Sequence, residues 1–172
     1  EDKETELDMS NESVLSNFIT YAKENYDAEK YAVLIWGHGT GWRYSDLVNC
    51  SAGRAVAVDD KTDSYMSVLK MGEALENKGL SVIGFDTCFG GVFENVYEVK
   101  NAAEYTVGCS DFTPTTGWNY TKLLENLSES DFSSSCIAKV MAESSSVKTT
   151  VYENSKMDQL FASFENFAEF LS

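Results

Sequence analysis

The sequence predicts a three-layer α/β/α sandwich built around a mainly parallel sheet. Two observations support this fold class. Segments with helical and strand patterns alternate along the 172 residues, and the strand candidates at 31–36 and 80–85 are almost entirely apolar. Strands that are apolar on both faces are typical of parallel sheets covered by helices on each side. A chain of this length can bury one core, so we expect a single domain over residues 1–172.

The first half of the chain predicts two helices, each followed by one of these strands. Apolar residues recur at helical spacing over 13–26, and Ser10 or Asn11 is available as the N-cap. A second helix is expected over 64–78, because apolar residues again repeat on one side and Gly79 stands where a C-terminal cap would. The alternation of helix and strand therefore begins at the amino terminus.

A long connection over 40–63 separates the first strand from the second helix. It is rich in Gly, Ser, Asn and Asp and contains only a short apolar stretch at 55–58. Connections of this length in compact domains are usually functional or mobile.

The second half continues the alternation. Gly90 and Gly91 open a third helix, an apolar strand is expected over 105–109, and Pro114 and Gly117 mark a loop. The remaining predicted elements are helices over 118–127 and 133–143, a β-branched strand over 147–151 and a helical apolar stripe over 160–171.

Composition excludes several classes of function. The 28 acidic and 13 basic residues give a net charge of −15, which argues against a nucleic-acid partner. No apolar run is long enough to predict a membrane span. The four cysteines, Cys50, Cys88, Cys109 and Cys136, form no C-x-x-C pair, and a single histidine makes a structural zinc site improbable. Cys109 and Cys136 are most simply small buried residues.

Two potentially reactive side chains each follow an apolar strand. His38 lies in Gly37-His38-Gly39 after the strand 31–36, and Cys88 follows the strand 80–85. Either residue alone is more simply structural, as a loop histidine or a buried thiol. Together they fit a cysteine hydrolase, because an imidazole that accepts a thiol proton creates the nucleophilic thiolate. Their separation, 88 − 38 = 50, repeats the order and spacing of caspase-type peptidases.

The residues around Cys88 suit this chemistry. Gly90 and Gly91 lead into a predicted helix, whose free N–H groups and positive dipole end would stabilise a thiolate at Cys88. The backbone N–H groups of Cys88 and Gly39 could bind the oxyanion of a tetrahedral intermediate. Glycine at position 39 also lets a substrate carbonyl approach the main chain closely.

Three stretches resemble the clostripain family of cysteine endopeptidases. They read YAVLIWGHGTGW over 31–42, IGFDTC over 83–88 and GWNY over 117–120, and the similarity extends from about residue 7 to the last helix. The resemblance implies a caspase-like fold and hydrolysis of peptide bonds after Arg or Lys. Carried over, His38 is the general acid/base and Cys88 the nucleophile.

The resemblance also implies a pocket for a basic side chain. Asp86 matches the family's acidic position two residues before the nucleophile, and alternate strand residues face the same way. An aspartate that merely satisfies nearby backbone N–H groups is the alternative. Thr116 stands where family members often carry an aspartate in the substrate pocket, a departure that weakens the assignment of Arg or Lys specificity.

The long connection carries two further expectations from the resemblance. Many family members mature by cleavage after the catalytic histidine, so we expect self-processing after Arg54, with Lys61 as the second choice and an uncut loop as the alternative. No cofactor is expected apart from calcium, which Asp59, Asp60 and Asp63 could bind; three such acids more often form a solvated turn.

The family places further strands before the first helix. We therefore expect an N-terminal segment or a companion chain that covers an otherwise bare sheet edge. The partners implied are a peptide or protein substrate with a basic residue, and the location implied is secreted or at the surface of a bacterial cell. The alternative function is a catalytically silent binding or regulatory domain on the same fold.

Overall fold

The computed structural model describes residues 7–41, 57–59 and 64–172, with only the backbone described at 57–59. In chain order the elements are α1 Glu12–Asn25, β1 Ala32–Trp36, β2 Ala57–Asp59, β3 Ser64–Met66, α2 Val68–Leu75, β4 Leu80–Asp86, α3 Phe93–Glu98, β5 Ala103–Gly108, α4 Tyr120–Ser128, α5 Ser134–Glu143, β6 Thr150–Glu153, a 3-10 turn Asn154–Lys156 and α6 Met157–Leu171.

Polar side chains fix where four of the helices begin. Asn11, rather than Ser10, caps α1 by accepting a hydrogen bond from the N–H of Ser13. The side chains that cap α2, α4 and α5 in the same way belong to Ser67, Asn119 and Ser133. Each satisfies an N–H group that has no partner within its helix.

The main sheet has the strand order β1-β4-β5-β6. β1 and β5 both pair with β4 in parallel, whereas β6 runs antiparallel to β5. Every residue of β4 is buried, as expected for a central strand covered on both faces. The predicted mainly parallel sheet is thus confirmed, with β1 at one edge.

Two apolar cores lie on opposite faces of this sheet. Ile83 and Phe85 point into a core shared with α1 and α2, where Met71 and Leu75 are buried. Val82, one residue out of phase, belongs to a second core with α4 and α5. Helices therefore cover both faces of the sheet, which confirms the three-layer sandwich.

The structure corrects the predicted helix over 64–78. Residues 64–66 form β3, which pairs antiparallel with β2 near the end of the long connection, and the helix starts only after the capping residue Ser67. Pairing with this nearby strand outweighed the helical pattern here.

Two other elements differ from expectation. α3 begins at Phe93, because Gly91 instead hydrogen-bonds to the carbonyl of Cys109 at 2.8 Å. β6 begins at Thr150 rather than at 147. Cys109 is buried as expected, whereas Cys136 is only half-buried.

Candidate active site

The carboxyl ends of β1 and β4 meet at one edge of the sheet. The two strands are parallel neighbours with Trp36 opposite Asp86, and the N–H of Gly37 points to the carbonyl of Asp86 at 3.5 Å. His38 and Cys88 each lie two residues beyond this pair. The strand order therefore gives the adjacency on which a shared site depends.

Gly39 brings the histidine segment against the cysteine segment. A Cβ at this position would overlap the carbonyl oxygen of Cys88 and would lie 2.9 Å from both Cβ and Oγ1 of Thr87. Glycine is thus required by close approach of two backbones. Beside it, the side chain of His38 is exposed and makes no hydrogen bond or ion pair with any described residue.

The turn that carries Cys88 is tight and strained. Phe89, directly after the cysteine, has a positive φ of 55°, a conformation that residues other than glycine rarely adopt. Its N–H donates to the carbonyl of Asp111 at 3.0 Å, and its own carbonyl accepts from the side chain of Asn95 at 3.0 Å. Its ring packs edge-on against Phe112. These contacts hold Cys88 at a sharp bend.

The sulfur of Cys88 contacts the loop after β5. The N–H of Thr113 donates to Sγ at 3.3 Å, and the carbonyl of Thr113 lies 3.6 Å from Sγ, within reach of a thiol proton. The hydroxyl of Thr113 donates to the carbonyl of Thr87 at 3.0 Å and fastens the loop. We expected α3 to supply the N–H donor, but α3 starts only at Phe93.

Two backbone N–H groups at this edge are unpaired within the described part of the chain. Those of Gly39 and Cys88 donate no hydrogen bond to any described residue. They belong to the two segments that Gly39 packs together. Unpaired N–H groups beside a thiol are what an oxyanion hole requires.

Asp86 is buried below this edge, with an exposed fraction of only 2%. Its Oδ2 accepts two hydrogen bonds, from the N–H of Trp118 at 2.8 Å and from the hydroxyl of Tyr120 at 2.7 Å. Its Oδ1 is shielded from solvent and has no hydrogen-bond partner among the described residues. Partial burial and the adjacent carboxylate raise the pKa of Tyr120 above its ordinary value of 10.0.

Comparison with known proteins decides the family. The model of the clostripain family matches residues 1–172. The chain belongs to the clostripain family. Clostripain of Hathewaya histolytica is 29% identical over 134 residues, which cover 71% of this chain and 25% of clostripain.

Two solved structures are similar to this clostripain-family chain. An inactive protease zymogen from Parabacteroides distasonis is 20% identical with a TM-score of 0.73, over 94% of this chain and 45% of the zymogen. A secreted cysteine protease from Bacteroides thetaiotaomicron, solved in complex with an irreversible peptide inhibitor, is 25% identical with a TM-score of 0.71, over 89% of this chain and 48% of the protease. The chain thus spans less than half of either.

Not every residue expected from the clostripain family resemblance joins this site. Thr116 is exposed in a turn before Gly117, and no hydrogen bond links its side chain to Asp86. Arg54, Lys61, Asp60 and Asp63 lie outside the described residues, and for Asp59 only the backbone is described. Within the described ranges no three His, Cys, Asp or Glu side chains are grouped to hold a metal ion.

The sequence of this clostripain-family chain did not predict the contact of Thr113 with Cys88 or the contact of Tyr120 with Asp86. Thr113 contributes through its backbone, for which the sequence carries no signal. Tyr120 ends the GWNY stretch that carried the resemblance, so its position was visible although its bond to Asp86 was not. In the part of the chain that the structure describes, no helix has the length and apolarity of a membrane span.

Proposed function

We propose that this chain carries the catalytic residues of a cysteine endopeptidase, with Cys88 as nucleophile and His38 as general acid/base. The close contact of Gly39 with the carbonyl of Cys88 carries the proposal, because it joins the two segments at one edge of the sheet. Membership of the clostripain family supports the same assignment.

The reaction is acyl transfer through a thioester. His38 accepts the thiol proton and the thiolate of Cys88 attacks the peptide carbonyl carbon, while the N–H groups of Gly39 and Cys88 bind the resulting oxyanion. His38 then gives the proton to the leaving amine as the C–N bond breaks. Water, deprotonated by His38, hydrolyses the thioester and regenerates the thiol. The N–H of Thr113 stabilises the thiolate between these steps.

Covalent labelling tests the nucleophile. A peptide carrying a thiol-directed reactive group should add one mass equivalent to the wild-type protein, and peptide mapping should find it on Cys88. The Cys88→Ala and His38→Ala variants should lose hydrolysis by at least about 1000-fold. Cys136→Ala is the matched control, since Cys136 is also a half-buried free thiol. Equal loss in the control, or labelling elsewhere, would contradict the assignment.

We propose further that the site accepts Arg or Lys on the acyl side of the scissile bond. The buried Asp86 carboxylate supports this, because its Oδ1 has no hydrogen-bond partner in the described chain and a basic side chain would supply one. Thr116 is proposed to line the outer part of this pocket. Peptides ending in Arg, Lys or a neutral residue, compared in wild type and Asp86→Asn, test the preference: loss of basic selectivity in the variant is expected.

Self-processing after Arg54 is proposed from the family resemblance, with Lys61 as the second site. Incubating wild type beside Cys88→Ala tests it, because equal fragmentation of both would exclude self-cleavage. The acyl-transfer steps need no cofactor. Calcium at Asp59, Asp60 and Asp63 is a separate proposal, tested by calorimetric titration of the full chain with calcium.

A segment that pairs with the free edge of β1 is proposed as well, either preceding this chain or as a companion. β1 is the outermost of the described strands of the sheet, and its edge adjoins a groove of about 540 Å³ against α1. Apolar side chains that line the groove include Phe18, Tyr21, Val33, Trp36 and Met71. Bare apolar edges are rare in native sheets. A folded, active monomer of this chain alone, measured by size exclusion with light scattering, would contradict the proposal.

Export from the cell is proposed as well, because the similar protease from Bacteroides thetaiotaomicron is a secreted protein.

The second candidate is a catalytically silent binding or regulatory domain. One observation favours it: Asp86 is almost fully enclosed, so the pocket is closed around its carboxylate. Measuring peptide hydrolysis distinguishes the peptidase from the silent domain. If the full-length protein neither hydrolyses peptides nor takes up the thiol-directed label, the silent domain is the correct assignment.

A further inference from the structure

The two oxygens of the Asp86 carboxylate differ in how many further hydrogen bonds they can accept. A carboxylate oxygen accepts about two hydrogen bonds, and Oδ2 already has two short ones, from the N–H of Trp118 at 2.8 Å and from Tyr120 at 2.7 Å. Gly117 packs closely on the same oxygen, since a Cβ there would lie 2.7 Å from it. Oδ2 is therefore saturated and sterically covered.

Oδ1 is in the opposite state. It is buried and makes no hydrogen bond with any described residue. A buried charged oxygen without a hydrogen-bond partner costs folding free energy, so a ligand that donates a hydrogen bond to it gains binding free energy. Oδ1 is thus the carboxylate oxygen with capacity left for a further donor, which reaches it by displacing the groups that now enclose it. The hydroxyl of Tyr120 decides which oxygen keeps that capacity.

We infer that Tyr120 is a specificity-determining residue: by occupying Oδ2 it leaves a single acceptor oxygen in the pocket, which favours Lys over Arg. The inference rests on the proposed function, because it concerns the pocket of that same site. Tyr120 acts through Asp86 and is a positioning residue.

The geometry of the two cations gives the reason. An Arg guanidinium gains most from a fork of two parallel N–H···O bonds, one to each carboxylate oxygen. That fork is unavailable when one oxygen is saturated. A Lys ammonium is a compact charge that one oxygen can bind fully. Arg therefore loses its usual advantage at this carboxylate, whereas Lys does not.

The experiment compares two peptide substrates in three proteins. The peptides are fluorogenic and differ only in Lys or Arg on the acyl side of the cleaved bond, and kcat/KM is measured for each. The proteins are wild type, Tyr120→Phe and the control Tyr31→Phe. Tyr31 also donates a short hydrogen bond, to the carbonyl of Tyr26 at 2.6 Å, but it precedes β1 at the opposite end of the sheet. The ratio of kcat/KM for the Arg peptide to kcat/KM for the Lys peptide does not depend on the fraction of protein that is folded, so a general loss of stability does not change it.

In wild type we expect Lys to be cleaved at least as efficiently as Arg. Tyr120→Phe removes one of the two hydrogen bonds to Oδ2 and so restores part of its accepting capacity. The Arg-to-Lys ratio should therefore rise by about 3- to 10-fold, mainly through a lower KM for Arg. Tyr31→Phe should leave the ratio unchanged. The same ratio can be read from labelling rates of Cys88 with Lys- and Arg-directed thiol inhibitors, which need no turnover.

Different failures have different meanings. An unchanged ratio in Tyr120→Phe, an equal change in Tyr31→Phe, or a strong preference of wild type for Arg would overturn this inference while leaving the peptidase intact. A wild-type protein that handles neutral and basic residues equally, or that reacts with neither substrate nor inhibitor, would overturn the proposed function and this inference with it.

Discussion

Replacing Gly39 by alanine perturbs the candidate site at one defined point. The added Cβ would overlap the carbonyl oxygen of Cys88 and would lie 2.9 Å from two atoms of the Thr87 side chain. Carbon atoms in contact prefer about 3.5 to 4.0 Å. The main obstacle is backbone, so no side-chain rotation relieves it, and the histidine segment must move away from Cys88 by about 1 Å.

The expected cost follows from that displacement. Misplacing catalytic groups by about 1 Å costs about 100-fold in rate, which corresponds to about 2.7 kcal/mol in activation free energy. Relieving an overpacked contact also lowers the free energy of unfolding by about 1 to 3 kcal/mol. The loss of activity should therefore exceed what unfolding explains, since the protein stays folded.

The assay measures kcat/KM with a basic fluorogenic peptide, together with the free energy of unfolding in urea. Gly72→Ala is the control: its Cβ would lie 2.7 Å from the carbonyl oxygen of Glu98, a comparable backbone clash between α2 and α3. It should lose stability but keep its activity per folded molecule. If Gly39→Ala is folded and retains activity within about twofold, the contact does not organise the site and the reasoning is wrong.

Four further outcomes are expected. Iodoacetamide should modify Cys88 before Cys109, because Cys109 is buried and Cys88 is half-buried; mass spectrometry of a time course measures the order. Because the pKa of Tyr120 is raised, its stabilising contribution is present below pH 10.0 and is lost as pH rises above that value. Above pH 10.0 the free energy of unfolding, measured in urea, should therefore fall more steeply for wild type than for Tyr120→Phe. Leu75→Ala removes a fully buried side chain and should cost about 2 to 5 kcal/mol of unfolding free energy without altering specific activity. Treatment with EDTA should leave hydrolysis of the peptide substrate unchanged, because the proposed thiol and imidazole chemistry needs no metal; a loss of activity that added calcium restores would contradict this.

The fold was predictable where one strong local signal agreed with burial. The strand Leu80–Asp86 is apolar and entirely buried, so its pattern alone indicated a central position. Ser64–Met66 was predicted as the start of a helix, but it pairs with Ala57–Asp59, which only residues 60–63 separate from it along the chain. Both strands have three residues, which is too short for strand periodicity to show in the sequence.

The site was predictable for side chains and not for backbone groups. His38, Cys88 and Asp86 follow or end two strands that are neighbours in the sheet, so their placement at one edge could be predicted from the sequence, while their roles stay a prediction. The N–H of Thr113 at the sulfur depends on the path of a loop, which residue types do not specify. The hydrogen bond from the Tyr120 hydroxyl to Asp86 likewise depends on how α4 begins.

One loop supports both halves of the candidate site. The segment after β5 places Thr113 on the sulfur of Cys88, and a few residues later Trp118 and Tyr120 hold the carboxylate of Asp86. Cys88 and Asp86 are also two residues apart in one strand and turn, so the same loop contacts both through independent hydrogen bonds. The proposed nucleophile and the proposed pocket therefore depend on the same loop: a shift of this loop would move the surroundings of the Cys88 thiol and of the Asp86 carboxylate together. Binding of a basic side chain at Oδ1 would stabilise the loop position that also keeps an N–H on the sulfur, and recognition of substrate would then favour the reactive thiolate.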